Sequence, residues 1–307
     1  MAVRVGVIGV GYLGQHHARI YSDIKDVELA AVSDFDSIRA EEIGSKYGCR
    51  YFSNYSELLE VCDAVSIVTP TITHRDIALD CLKAGKDILV EKPITQNIIE
   101  AEEIIKEAEK KNLILQVGHL ERYNPAVTAA SKMTTAPRFI EAERLSPFLG
   151  RGIDVDITLD LMIHDIDIIF SLVRSRLVGI KASGESLMTD KIDLARAWLE
   201  FENGCGALMT ASRISPEKKR SLNIFQEDSY IAVDYHNQEA KRYFKSGEEL
   251  LSDVMSPEKQ EPLKEELKDF IECVKTRKRP LVSGTEAMNA LDTAMKISEI
   301  IKGNRRH

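Results

Sequence analysis

The 307-residue sequence has little of what marks a secreted, membrane-bound or nucleic-acid-binding protein. Its five cysteines are scattered and form no Cys-x-x-Cys pair, which argues against a disulfide framework and a structural zinc site. The apolar runs fall well short of the ~20 residues that cross a bilayer, and the N-terminal run is too short for a secretory leader. The formal net charge of −8 leaves no basic field for nucleic acid or anionic lipid. We therefore expect a cytoplasmic protein that binds neither nucleic acid nor membranes.

The N-terminal residues follow the order strand, glycine turn, helix, strand, acid. The apolar run Val3–Ile8 predicts a buried strand, and Gly9, Gly11 and Gly14 follow it in the G-x-G-x-x-G spacing. The first glycine permits a tight turn, the second lets the backbone approach a pyrophosphate, and the third lets the helix pack on the strand. Asp34 lies 20 residues after Gly14, where a carboxylate can accept hydrogen bonds from a ribose diol. A glycine turn that merely closes a strand–helix unit is the alternative, but the combined pattern favours a dinucleotide site.

The expected dinucleotide is NAD rather than NADP. A carboxylate at Asp34, with Asp36 beside it, would repel a 2′-phosphate. Arg39 is the nearby cation that could weaken this preference. The cofactor-binding residues expected at the turn and the acid are Gly9, Gly11, Tyr12, Leu13, Gly14 and Asp34.

The hydrophobic rhythm changes near residue 120. Before it, short apolar runs alternate with helical patterns, which predicts a doubly wound parallel sheet. After it, a helix over Ile157–Leu172 is followed by consecutive strand patterns without crossover helices, which predicts an α+β domain with a largely antiparallel open sheet. We therefore expect a Rossmann domain over residues 1–120 and a substrate and oligomerisation domain over 121–307. The C-terminal helices are free to pack back on the first domain in this scheme.

Polar residues follow the predicted strands where ligands bind to such sheets. Thr69, Pro70 and His74 follow one strand and are expected to line the cofactor cleft, although His74 could equally belong to a structural turn. Glu91 and Lys92 follow the next strand and are also expected to contact the cofactor. The proline after them restricts the backbone at the lysine. An ammonium there can stabilise the alkoxide that develops during hydride loss. A surface Glu–Lys pair is the alternative.

A second candidate pair is Asp160 and His164. Positions four apart share a helix face, so the carboxylate could orient an imidazole that removes an alcohol proton. A core histidine or a simple ion pair explains the same spacing. Half of a metal site also has this spacing, but no convincing third ligand accompanies it, so no metal is expected.

Taken together, these motifs resemble the Gfo/Idh/MocA oxidoreductase family over nearly the whole chain. The resemblance rests on the glycine turn with Asp34, Glu91-Lys92-Pro93, Gly118–Pro125, the Asp160/His164 pair, Pro262–Ile271 and Pro280–Gly284. It implies a Rossmann domain, NAD(P)-dependent chemistry at a sugar or cyclitol carbon, and a homodimer or homotetramer. It also implies that Lys92, Asp160 and His164 are the catalytic residues.

The segments Glu121–Pro125 and Asp160–Asp167 most resemble the nucleotide-sugar branch of that family. The chain also departs from the family pattern. Asp156-Ile157-Thr158 and Met162 stand where many members have glycines, which could reshape the pocket floor. The resemblance to this branch implies oxidation at C3 of a nucleotide amino sugar such as UDP-N-acetylglucosamine. A free cyclitol or aldose dehydrogenase, an NAD-retaining glycosidase and a non-catalytic NAD sensor are the alternatives. The expected substrate residues are Arg122, Tyr123, Asn124, Arg144 and Arg151. Any one of these arginines could instead form a surface ion pair.

Overall fold

The computed structural model describes residues 2–150, 153–255 and 257–304. In chain order the strands are β1 (Val3–Ile8), β2 (Val27–Ser33), β3 (Arg50–Phe52), β4 (Ala64–Ile67), β5 (Asp87–Glu91), β6 (Leu115–Gly118), β7 (Phe139–Leu145), β8 (Leu177–Glu185), β9 (Leu194–Phe201), β10 (Gly206–Ser212), β11 (Lys219–Phe225), β12 (Ser229–Asp234), β13 (Glu239–Ser246) and β14 (Glu249–Met255). The helices are α1 (Gly14–Asp23), α2 (Ser37–Tyr47), α3 (Tyr55–Leu59), α4 (His74–Lys83), α5 (Ile98–Lys111), α6 (Pro125–Met133), α7 (Ile163–Val173), α8 (Pro262–Thr276) and α9 (Gly284–Asn304).

The chain divides into two compact units. The first contains the residues up to Leu120 together with Glu261–Met288, and the second contains Glu121–Gln260 and the residues from Asn289 onward. The segment that carries α8 therefore groups with the N-terminal residues, although 140 positions of chain lie between them.

The first unit is built on a six-stranded parallel sheet in the order β3-β2-β1-β4-β5-β6, as the sequence predicts. Its core contains fully buried side chains from β1 and α1, and Leu267 and Phe270 of α8 belong to the same cluster. At the end of α8, Arg277 forms two hydrogen bonds with the Asp87 carboxylate, at 2.6 and 3.0 Å. Because the strands are parallel, all their carboxyl ends lie along one edge of the sheet.

Local capping explains where two helices of this unit begin. Asp36 accepts hydrogen bonds from the N–H groups of Ile38 and Arg39 at the start of α2. Asn97 accepts a hydrogen bond from the N–H of Glu100 and donates one to the Glu100 side chain, which caps α5.

The second unit is built on an eight-stranded sheet in the order β14-β13-β12-β11-β7-β10-β9-β8. Its pairs are antiparallel except for β7 with β10, which run parallel. A ring ladder crosses the sheet, in which Phe139 stacks on Trp198 and on Phe225 with centroids 5.7 and 5.5 Å apart. Gly206 leaves room for the indole, because a Cβ there would lie 2.5 Å from the Trp198 ring.

The helix predicted over Ile157–Leu172 is not uniform. Thr158–Met162 forms a π-helical turn, and α7 continues from Ile163 to Val173. The preceding Asp156 is fixed within its unit, because its carboxylate accepts from the Ile192 N–H and from Lys302. Such turns recur at functional sites in helices.

None of the helices in the described ranges combines the length and the apolar character that a membrane span requires.

Candidate active site

Steric constraints build the glycine turn after β1. Gly9 has φ of +85°, which favours glycine, and its N–H donates to the Ser33 carbonyl of β2 at 2.7 Å. A Cβ at Gly14 would lie 1.8 Å from the Gly9 carbonyl oxygen, so only glycine lets α1 start this close to the turn. A Cβ at Gly11, by contrast, would have no neighbouring atom within 4 Å. The turn therefore leaves open space beside the N-terminus of α1, where backbone N–H groups and the helix dipole suit a pyrophosphate.

Asp34 is held in place at the end of β2. The residue is 6% exposed, and its Oδ2 accepts from the Val10 N–H at 2.9 Å while Oδ1 accepts from the Asp36 N–H at 3.0 Å. An ionised carboxylate has about four acceptor positions, so it can also accept from a ribose diol. The nearest cation contact is with Arg39, whose Nη1 lies 3.7 Å from Oδ1. The donor set and the open turn together fit a dinucleotide.

Exposed apolar side chains surround the same sheet edge. Tyr12 is 71% exposed, whereas Leu13 is half-buried and packs against the core. Phe35, directly after Asp34, is 92% exposed, and Ile72 is 68% exposed after β4. Neither Phe35 nor Ile72 is among the site residues that the motifs predict. The available signal is an apolar residue placed just past the end of a buried strand, where the chain turns to solvent.

His74 does not have the exposure expected of a cofactor contact. It is 1% exposed, with Nδ1 3.0 Å from the Pro93 carbonyl and Nε2 2.8 Å from the Thr69 carbonyl. Burial lowers the pKa of His74, against the opposing effect of these two carbonyl oxygens. Thr69 is further held by the Thr73 hydroxyl, 2.7 Å away, while Pro70 is exposed. The role supported for His74 is to tie together the loops that follow β4 and β5.

Glu91 and Lys92 face different surroundings at the end of β5. Glu91 is 5% exposed and its carboxylate turns inward, so the direct cofactor contact expected for it is not supported. Lys92 is half-buried and precedes Pro93 through a cis peptide bond. Of the two, Lys92 is the candidate for chemistry.

In the second unit, Asp160 and His164 lie one helical turn apart. Asp160 sits in the π-helical turn and is half-buried, and His164 sits in the first turn of α7 with 9% exposure. Within the described ranges, no three His, Cys, Asp or Glu side chains are grouped to hold a metal ion. The pair suits proton transfer with a carboxylate that orients or tunes the imidazole.

Arg144 does not have the exposure expected of a phosphate ligand. It is 2% exposed, and its guanidinium forms two hydrogen bonds with Asp165, at 3.0 and 2.8 Å, and one with Glu121, at 2.9 Å. Burial alone would lower the pKa of Arg144, but the carboxylates of Asp165 and Glu121 outweigh it and raise the pKa. Its donors are committed inside the unit, so we assign it a structural role.

The other expected substrate residues differ in their burial and in their partners. Asn124 is 3% exposed and caps α6 by accepting from the Ala126 N–H at 3.0 Å, which gives it a structural role too. Arg122 is mostly buried, and its Nη1 lies 3.2 Å from the Asp167 carboxylate. Tyr123 is half-buried. Arg151 lies outside the described residues.

Arg144→Ala should destabilise the protein strongly, because the buried Asp165 carboxylate loses its arginine partner and Glu121 keeps only Arg220. We expect a loss of about 3–5 kcal/mol in the free energy of unfolding. Urea unfolding followed by circular dichroism measures this loss. The matched control is Arg176→Ala, which removes an exposed pair with Glu202 and should leave the urea midpoint nearly unchanged. Equal midpoints for the two variants would contradict the structural role of Arg144.

His74 should make stability sensitive to acid. Its pKa is lowered in the folded state, so its contribution is complete above the unfolded value of about 6.5 and is lost as pH falls through the folded pKa. In His74→Gln, the fall in urea midpoint from about pH 7 to about pH 5 should be smaller than in the wild type. His236→Gln, at an exposed turn, is the control. An unchanged fall in His74→Gln would rule out this titration.

Comparisons with known proteins agree with this geometry. Residues 3–119 match the model of an oxidoreductase family with an NAD-binding Rossmann fold. The chain is 36% identical to the UDP-N-acetylglucosamine 3-dehydrogenase of Acidithiobacillus ferrooxidans over 96% of both chains. A solved structure of that enzyme covers 99% of both chains with a TM-score of 0.94. The scyllo-inositol 2-dehydrogenase (NAD(+)) of Bacillus subtilis is 29% identical over 95% of this chain and 92% of its own.

A relative of this identity and coverage, together with the match over the first unit, establishes the family. The resemblance inferred from the motifs is thereby confirmed, as is the two-sheet fold. This chain belongs to the Gfo/Idh/MocA family of oxidoreductases with an NAD-binding Rossmann fold.

Proposed function

We propose that this protein is an NAD-dependent dehydrogenase that oxidises the C3 hydroxyl of a nucleotide amino sugar such as UDP-N-acetylglucosamine. The observation that carries the proposal is the 36% identity to a UDP-N-acetylglucosamine 3-dehydrogenase across 96% of both chains. We retain a homodimer or homotetramer as the expected assembly and the cytoplasm as the expected compartment.

The cofactor proposal rests on the first unit. The open turn at Gly11 receives the pyrophosphate, and the fixed Asp34 carboxylate accepts from the adenosine ribose. The exposed Phe35 offers a ring face to the adenine. Bound NAD supplies the hydride acceptor.

Each of the three proposed catalytic residues has one role. His164 accepts the proton of the substrate hydroxyl at an imidazole nitrogen, as a general base does. Lys92 donates a hydrogen bond from its ammonium to the same oxygen and stabilises the negative charge that develops there. Asp160 orients the substrate and the imidazole.

A free cyclitol is the second candidate substrate class. The observation that favours it is the inositol dehydrogenase relative, which is 29% identical over 95% of this chain. The burial of Arg144 and Asn124 removes two of the polar groups that the sequence assigned to a nucleotide sugar. The remaining expected residues for that role are Arg122, Tyr123 and Arg151.

Lys92→Ala and His164→Ala should each lower kcat by ~10²-fold or more, the usual contribution of a positioned acid–base group. NAD binding, measured by thermal shift, should persist in both. Lys110→Ala and His236→Ala, which change exposed side chains, are the matched controls. Near wild-type turnover in either catalytic variant would remove that residue from the mechanism.

NAD should give a higher kcat/KM than NADP, because the Asp34 carboxylate is fixed beside the ribose position and repels a 2′-phosphate. Asp34→Ser should lower the ratio of kcat/KM for NAD to kcat/KM for NADP. Arg39→Ala should raise this ratio, because it removes the cation next to the ribose position. A wild-type preference for NADP would show that the Asp34 assignment is incorrect.

UDP-N-acetylglucosamine should support NADH formation faster than N-acetylglucosamine or myo-inositol. Absorbance at the NADH band measures the rate, with a 3-aminotransferase added to remove a keto product that accumulates only slightly. Robust oxidation of myo-inositol, with no response to any UDP-sugar, would overturn the nucleotide-sugar proposal and favour the cyclitol candidate.

A further inference from the structure

Glu91 is a buried carboxylate that the proposed reaction does not use. It ends β5 with 5% exposure, and a buried charge is costly unless polar partners compensate it. Its Oε2 accepts a hydrogen bond from the N–H of the next residue, Lys92, at 3.2 Å. The carboxylate therefore holds the peptide group from which the lysine projects.

The other carboxylate oxygen faces the helix that starts at the glycine turn. Nε2 of His17 lies 3.2 Å from Glu91 Oε1, and the two side chains are 0% and 7% exposed. The two atoms are in contact without the alignment of a hydrogen bond. His17 belongs to α1, one turn after Gly14. One carboxylate thus touches both the strand end that carries Lys92 and the helix that offers its N-terminus to a pyrophosphate.

The neighbouring strand leaves space for this carboxylate. Glu91 and Gly118 are partners in the parallel pairing of β5 with β6. A Cβ at position 118 would lie 2.8 Å from Cδ, Oε1 and Oε2 of Glu91. Gly118 has no positive φ that would require glycine for backbone reasons. A side chain at position 118 would therefore have to displace the Glu91 carboxylate.

We propose that Glu91 is a positioning residue for Lys92, and that His17 and Gly118 hold its carboxylate in place. The inference rests on the catalytic role proposed for Lys92. The bond from the Lys92 N–H fixes the peptide plane, and Pro93 restricts the backbone on the other side. The contact with His17 fixes the same carboxylate relative to α1. A shift of about 1 Å in the lysine would reduce turnover by up to ~10²-fold without removing a reacting group.

The sharpest test leaves every polar group in place. Gly118→Ala adds only a methyl group, which must displace the Glu91 carboxylate, so kcat should fall by ~10-fold or more while KM for NAD changes little. Glu91→Ala should give a similar loss. Glu91→Gln keeps an acceptor for the Lys92 N–H and should restore most of kcat. Gly303→Ala, in α9 with nothing within 4 Å of the added Cβ, is the control and should retain wild-type kcat.

A double-variant cycle separates positioning from general damage. Because Glu91 acts through Lys92, adding Glu91→Ala to Lys92→Ala should not lower the residual rate further. Equal losses in both backgrounds, or full activity of Gly118→Ala and Glu91→Ala, would overturn the positioning role. Wild-type activity of Lys92→Ala alone would instead overturn the proposed catalytic role of the lysine. Thermal unfolding of each variant shows whether a loss reflects misfolding.

Discussion

The constraint on which this structure depends is the lack of room for a side chain at two glycines, one at the start of α1 and one at the end of β6. At Gly14 a Cβ would lie 1.8 Å from the Gly9 carbonyl oxygen, and at Gly118 it would lie 2.8 Å from the Glu91 carboxylate. The first close approach brings the N-terminus of α1 to the end of β1, where it can face a pyrophosphate. The second lets the buried Glu91 carboxylate lie where a side chain of residue 118 would otherwise be. At both glycines, the lack of a side chain determines where a charged group can lie.

The parts of the fold that were predictable are those whose signal is local. Buried parallel strands have continuous apolar runs, and the glycine spacing and the Asn97 cap need only neighbouring residues. Strands β3 and β14 carry no clear apolar pattern in the sequence, because all of their side chains are half-buried or exposed. The π-helical turn at Thr158–Met162 was missed because the apolar spacing around it fits an ordinary α-helix.

The site was predictable to the extent that backbone position decides a residue's role. Asp34 and Lys92 end or follow strands that must meet at one edge, so their placement follows from the topology. The roles expected for Arg144, Asn124, His74 and Glu91 depended on contacts that single-sequence reasoning cannot see. Arg144 meets Asp165 and Glu121, which are 21 and 23 positions away along the chain. Polar residues near a strand end look alike in sequence whether they face a ligand or a buried partner.

The central claim is that a hydride leaves C3 of a nucleotide amino sugar. The most direct test supplies UDP-N-acetylglucosamine carrying deuterium at C3, with unlabelled NAD, and measures the mass of the reduced nicotinamide. If the hydride leaves C3, we expect the reduced cofactor to carry the deuterium. Substrate labelled at C4 should then yield unlabelled NADH. Reduced cofactor without deuterium from the C3-labelled sugar, or no reduction with any nucleotide sugar, would contradict it.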